Sequence, residues 1–223
     1  MANYDLSRLS VLFVEDSRFI RLLIRSVFLT IGLRQIHVAN DGRQAIELIK
    51  RLSDEQGSNN APPIDLVISD LVMPGGDGFE LLNWIRRDPE SPIPFAAFAL
   101  LTARADADVV AESRNFGANE FIAKPFSANS IASRILAVIN TPRQFVLNNQ
   151  YFGPDRRRQS VDGVTLERRV KKVEDTEVFH SERAPTSLDM KEGRVCFFRL
   201  KNSLKERLSG GAGTGDIDAD ALE

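Results

Sequence analysis

A single cysteine, Cys196, is the chain's whole stock of thiol, which excludes an internal disulfide framework and suits a reducing compartment. Histidine is nearly as scarce: only His37 and His180 occur. Neither sits at the end of an apolar run that breaks into acid, so both read as ordinary residues and a zinc site has no ligand set to draw on. Long apolar runs are missing too. The longest uninterrupted one, Phe95 to Leu101, falls far short of the roughly 18 residues that a membrane span needs. Nor is there a surplus of positive charge. A formal net charge of -2 gives no global attraction to nucleic acid or to an anionic membrane. The opening residues, M-A-N-Y-D-L-S-R, lack the basic-then-apolar pattern of a secretion signal, and no internal repeat is visible. These absences point to a cytoplasmic protein, and a hydrophobic content of 43% suffices for an ordinary globular core.

What is present is alternation. Val11 to Val14 is a short apolar run that breaks directly into Glu15-Asp16, and Ser17 then caps a helix with apolar Ile20, Leu23, Ile24, Val27 and Phe28. Ile36 to Ala39 is the next strand, followed by a helix marked by Ala45, Ile46, Leu48, Ile49 and Leu52. Leu66-Val67-Ile68 is β-branched and bounded by Pro62-Pro63, so it reads as a strand buried on both faces and ending at Asp70. Pro74-Gly75-Gly76-Asp77-Gly78 makes the turn into a helix through Phe79, Leu82 and Ile85. A fourth strand, Phe95 to Leu101, ends at Thr102. A helix over Asp106 to Phe116, a fifth strand Glu120 to Ala123 running into Lys124-Pro125, and a last helix capped by Ser127 complete the pattern. Five strands alternating with five helices imply an α/β fold, a parallel sheet with helices on both faces, over about residues 8–140.

In such a sheet all carboxyl ends lie on one edge, where ligands usually bind. Glu15 and Asp16 after the first strand, Asp70 after the third, Thr102 after the fourth and Lys124 after the fifth therefore gather there. Carboxylates about 4 Å apart repel by roughly 4 kcal/mol per pair at an effective dielectric near 20, so a cation is expected among them. Oxygen ligands with room for water suit Mg²⁺ or Mn²⁺.

The order and spacing of D-L-V-M-P-G-G-D-G around Asp70, L-T-A around Thr102 and F-I-A-K-P-F around Lys124 resemble the receiver domains of two-component response regulators. The resemblance implies a flavodoxin-like, doubly wound five-stranded sheet of order 2-1-3-4-5. It implies that Asp70 accepts a phosphoryl group from a histidine kinase or phosphotransfer protein, and that Glu15, Asp16, Asp70 and the backbone carbonyl of Val72 hold Mg²⁺. Thr102 is then the switch hydroxyl, Lys124 the ammonium that pairs with phosphoryl oxygens, Phe121 the switching aromatic, and Lys124-Pro125 a cis bond. The acidic pair is Glu-Asp where Asp-Asp is commoner, and Val72 and Arg104 stand two residues after Asp70 and Thr102, where they flank the path of attacking water.

The alternation stops after Asn140. Residues 141–223 read as a largely irregular extension with a basic stretch from Arg156 to Arg158 and again at Arg168, Arg169, Lys171 and Lys172, and with a short amphipathic helix at 196–208 carrying Leu200, Leu204 and Leu208. The expected output is a contact with a downstream protein target and not a chemical reaction. A transcriptional regulator whose basic tail touches nucleic acid is the alternative, against which stands the absence of two linked periodic helices. A phosphatase sharing Mg²⁺, Asp and Lys is a third reading; it calls for a second Asp where Val72 stands.

Overall fold

The computed structural model of the chain describes residues 4–56, 64–103, 107–141, 143–148, 151–156, 178–179, 196–198 and 208. Each short apolar run becomes a strand, and each run with helical period becomes a helix: β1 Ser10–Val14, α1 Arg18–Thr30, β2 Gln35–Ala39, α2 Gly42–Gln56, β3 Leu66–Asp70, α3 Gly78–Arg87, β4 Ala97–Thr102, α4 Ala107–Phe116, β5 Glu120–Ala123 and α5 Ala128–Asn140. The strands pair in parallel in the order β2-β1-β3-β4-β5. This is the doubly wound, flavodoxin-like order that the motifs imply.

Because side chains alternate across a strand, β1 feeds two cores. Phe13 packs with Ile24 and Phe28 of α1 and with Ile131, Ile135 and Ile139 of α5, whereas Leu12 and Val14 pack with Ala45 and Ile49 of α2, Leu82 and Ile85 of α3 and Val109 of α4. All five residues of β1 and of β3 are buried, as expected of central parallel strands covered on both faces. Each fully buried Leu, Ile, Val or Phe stabilises the fold by about 1.5–3 kcal/mol before the entropy of ordering is set against it.

Several local expectations change. Leu23, assigned to the buried face of α1, is half exposed, and its neighbours Phe19 and Leu22 are more exposed still; the inner stripe is the narrower Ile24–Phe28 pair. Phe95 does not begin β4, which opens two residues later at Ala97. Its ring meets Phe145 and Phe152 edge-on, with centroids 5.2 and 5.4 Å apart.

Those partners lie beyond residue 140, where the sequence suggests no strand. Phe145–Asn148 (β6) and Tyr151–Pro154 (β7) form an antiparallel hairpin, joined by Val178–Phe179 (β8) and Cys196–Phe198 (β9) in a four-stranded sheet of order β7-β6-β9-β8. The amphipathic helix expected at 196–208 is corrected at its start: Cys196 to Phe198 is a strand, because it pairs with β6. Leu208 is helical and buried, packing in the same core as Tyr4 and Leu6, and its carbonyl accepts the Asp5 N–H at 3.3 Å. Leu200, Leu204, Arg104, His180, Arg157, Arg158, Arg168, Arg169, Lys171 and Lys172 lie outside the described residues. Burial therefore does not respect a boundary at residue 140, although the change from parallel to antiparallel sheet falls there. Among the described residues no helix is long and apolar enough to cross a membrane.

Candidate functional site

Four strand ends build the site. β1 ends at Val14, and the N–H of Glu15 still donates to the Ala39 carbonyl at 3.2 Å, so Glu15 is held by the sheet while Asp16 turns outward into solvent. Ser17 stops the extended chain and starts α1, its Oγ accepting the Ile20 N–H. β3 delivers Asp70, 9% exposed, directly before a turn in which Gly75 and Gly76 take φ of +88° and +132°, values that favour glycine. Gly78 is demanded by space: a Cβ there would fall 2.5 Å from the Asp70 carbonyl oxygen. Asp77 caps α3 by accepting the Glu80 N–H at 2.7 Å.

The carboxylates of Glu15, Asp16 and Asp70 present oxygens that all lie within 4.8 Å of one another. The Nζ of Lys124, which follows β5, donates to Asp70 Oδ2 at 2.7 Å and to Glu15 Oε2 at 2.9 Å. The other Asp70 oxygen accepts the Leu71 N–H at 2.8 Å. Burial works to lower the Lys124 pKa, but its bonds to Asp70 and Glu15 win and leave it raised, so it is a full ammonium at neutral pH. Burial dominates at Glu15 and raises its carboxyl, against the opposing bond from Lys124. One cation thus faces three acids, an excess of negative charge on oxygen ligands. That donor set fits a hard divalent cation.

Thr102, the last residue of β4, is buried, and its carbonyl accepts the Lys124 backbone N–H at 2.7 Å, which ties the end of β4 to the residue that follows β5. Phe121 lies on β5 opposite Leu100 and is half-buried. Val72 is on the β3–α3 turn with its side chain 76% exposed. The Lys124-Pro125 bond is cis. Glu15, Asp16, Asp70, Thr102 and Lys124 thus share the one edge, with Val72 on the adjoining turn, while Phe121 lies within β5 and Arg104 lies outside the described residues. His37 lies on β2, away from the acids, and burial lowers its pKa.

One contributor was missed. Arg21 of α1 donates from a single Nη1 to the carbonyls of Glu15 and Asp16, at 2.6 and 2.7 Å. It holds the backbone from which both acids project. The signal for it is an Arg five residues after the second acid, one helical turn beyond the cap, and many surface helices carry such a residue.

A family model described as the response regulator receiver domain matches residues 11–136. The chain is 36% identical over 131 residues to a probable chemotaxis protein CheY of Rhizobium etli, an alignment covering 59% of this chain and 92% of that protein. It is 28% identical over 130 residues to the chemotaxis protein CheY of Bacillus subtilis, covering 58% and 97%. The transcriptional regulatory protein YvrH of Bacillus subtilis matches at 35% over 129 residues, 57% of this chain but 48% of that protein. Among solved structures, the chemotaxis protein CheY4 of Vibrio cholerae superposes with a TM-score of 0.48 at 25% identity, covering 58% of this chain and 98% of that one.

Proposed function

The chain belongs to the response regulator receiver domain family, and from that premise we propose that it is a phosphorylation-dependent switch whose phosphoacceptor is Asp70 and whose output is a protein contact. The observation that carries this reading is the bond from Lys124 Nζ to Asp70 Oδ2 within a cluster of three carboxylates. An ionised carboxylate needs no base to act as a nucleophile. What the incoming phosphorus needs is neutralisation of its oxygens. Mg²⁺ bound among Glu15, Asp16, Asp70 and the Val72 carbonyl would supply part of that neutralisation. Lys124 supplies the rest, and its bond to Asp70 keeps the nucleophile aimed while its remaining hydrogen turns to a phosphoryl oxygen.

The donor is an N-phosphohistidine of a histidine kinase or phosphotransfer protein. An Asp70 oxygen forms the new P–O bond as the P–N bond breaks, and its electron pair stays on the imidazole. No proton has to move at Asp70. The acyl phosphate carries close to two negative charges. Thr102, whose carbonyl accepts the Lys124 backbone N–H, is the hydroxyl that answers that charge, and Phe121 fills the space that the threonine side chain vacates.

A docking surface for the donor lies at hand. Phe19 (75% exposed), Leu22 (59%) and Leu23 (50%) project from the first turns of α1 just after Asp16, and Val72 projects just after Asp70. Apolar side chains clustered around a polar centre suit a partner that presents an apolar helix beside its phosphohistidine. Val72 also speaks against the phosphatase reading, since it offers no acid or base at the point where water would be activated. The nucleic-acid reading gains nothing from Arg156, which donates to Asn115 and lies over the Tyr151 ring at 4.6 Å.

Incubation with a small phosphodonor and Mg²⁺ is expected to add one phosphoryl mass, lost with chelator and in Asp70→Asn. Undiminished labelling of Asp70→Asn would remove Asp70 from this role.

A further inference from the structure

α3 joins two places of consequence. Its first residue, Gly78, lies against the backbone of the phosphoacceptor, donating to the Leu71 carbonyl at 2.9 Å with no space for a Cβ beneath the Asp70 carbonyl. Near its other end Arg86 is 1% exposed. The Arg86 guanidinium donates to the carbonyls of Pro94 at 2.7 Å and Gly117 at 3.2 Å and to Asn119 Oδ1 at 3.2 Å. These acceptors are all neutral. A buried cation without a counter-ion is costly unless its donors are satisfied, so the Pro94 and Gly117–Asn119 turns are held to α3 as one joint.

The hairpin closes that joint. Phe145 of β6 lays its ring 5.0 Å from the guanidinium carbon. β7 passes the end of α4 with no clearance: a Cβ on Gly153 would fall 2.8 Å from the Gly117 Cα, and one on Gly117 would fall 3.1 Å from the Phe152 carbonyl oxygen. Arg156 donates to Asn115 on the last turn of α4. A second line of contacts reaches the same joint through the sheet. Lys124, bonded to Asp70, is tied to Thr102, and β4 and β5 run back from this pair to Phe98 and Asn119, where Asn119 Oδ1 accepts both the Phe98 N–H at 3.0 Å and the Arg86 guanidinium.

We propose that the β6–β7 hairpin is the output element of this chain: a clamp seated on the joint of Arg86, Gly117 and Asn119, which phosphorylation of Asp70 loosens. The inference rests on the reading of Asp70 as phosphoacceptor. α3 and the β4–β5 pair are regular elements that carry a displacement along their length, and close-packed contacts resist gradual deformation. The fit is already without clearance at Gly117 and Gly153, so a joint displaced toward the hairpin finds no room and parts from it. Release would bare the rings of Phe145 and Phe152, both buried in the seated hairpin. The coupling is reciprocal: whatever unseats the hairpin must alter the affinity of the Asp70 site by the same factor.

Hydrogen exchange of the full chain, with and without beryllofluoride and Mg²⁺ as a stand-in for the acyl phosphate, tests this. Faster exchange at residues 145–154, together with altered exchange around Asp70 to Thr102, is the expected result. Altered exchange around Asp70 with hairpin amides unchanged or slowed would overturn the clamp and leave the phosphoacceptor reading intact. No beryllofluoride-dependent change anywhere would overturn both. A second measurement avoids perturbing the site: Arg156→Ala, which removes the outer bond of the clamp to Asn115 and the stacking on Tyr151, is expected to shift half-saturation by beryllofluoride about five-fold or more. An unchanged half-saturation in this variant overturns the proposal.

Discussion

Arg21 illustrates how much of a site can lie in main-chain geometry. The acids of this site are obvious as residue types, yet their convergence depends on the turn from Val14 to Ser17, and Arg21 clamps two carbonyls of that turn. Removing groups that orient metal ligands typically costs 10- to 100-fold in metal affinity. Arg21→Ala is therefore expected to weaken Mg²⁺ binding by about ten-fold, read by titration calorimetry, while urea unfolding without metal changes little. Equal Mg²⁺ affinity would show the carbonyls to be held without it. At this scale the sequence is informative where chemistry dictates residue type. Glu15, Asp16, Asp70, Thr102 and Lys124 were identifiable because acids, a hydroxyl and an amine end successive strands. Arg21 and Arg86 were not, because an arginine bonded to carbonyls obeys no spacing rule. Arg86 even stands beside Arg87, which is exposed.

The five strands and five helices of the parallel sheet were legible because burial on two faces leaves uniform apolar runs, and glycine, proline and cap residues punctuate them. The hairpin was not. Its apolar residues, Phe145 to Leu147 and Tyr151-Phe152, flank Asn148-Asn149-Gln150, which lacks the glycine that marks a tight hairpin, and with the arginines that follow the segment read as an irregular extension. Tyr151 offers a probe of the hairpin. Burial raises its phenol to about 12, and its hydroxyl donates to the Pro154 carbonyl at 2.6 Å. A phenol whose pKa is raised by folding contributes stability that is complete below the ordinary value near 10 and is lost as pH rises toward 12. Alkaline titration followed by tyrosinate absorbance is thus expected to show one ionisation near pH 12, accompanied by loss of hairpin structure, which disappears in Tyr151→Phe. Ionisation of Tyr151 near pH 10 in the folded protein would contradict its burial.

For the molecule as a whole, the composition suggested a self-sufficient core over residues 8–140 with an appendage. Two anchors change that picture. Phe145 and Phe152 cover Phe95 and Arg86, and Leu208 sits in the core of Tyr4, Leu6 and the α1 and α5 side chains. A chain ended after Pro142 loses both. By the scale of buried Phe and Leu truncations, it is expected to lose on the order of 3 kcal/mol or more of stability, seen as a lower urea midpoint, while still accepting phosphoryl groups at low temperature. An unchanged midpoint would restore the appendage view. The placement of Leu208 also sets an order of events at the ribosome. Domains usually fold as units while the chain is still emerging, but here one wall of the core is made by a residue synthesised long after the sheet is complete. The nascent chain therefore passes through a stage with its strands made and its core open beside Tyr4, and that gap closes only when residue 208 has left the ribosome.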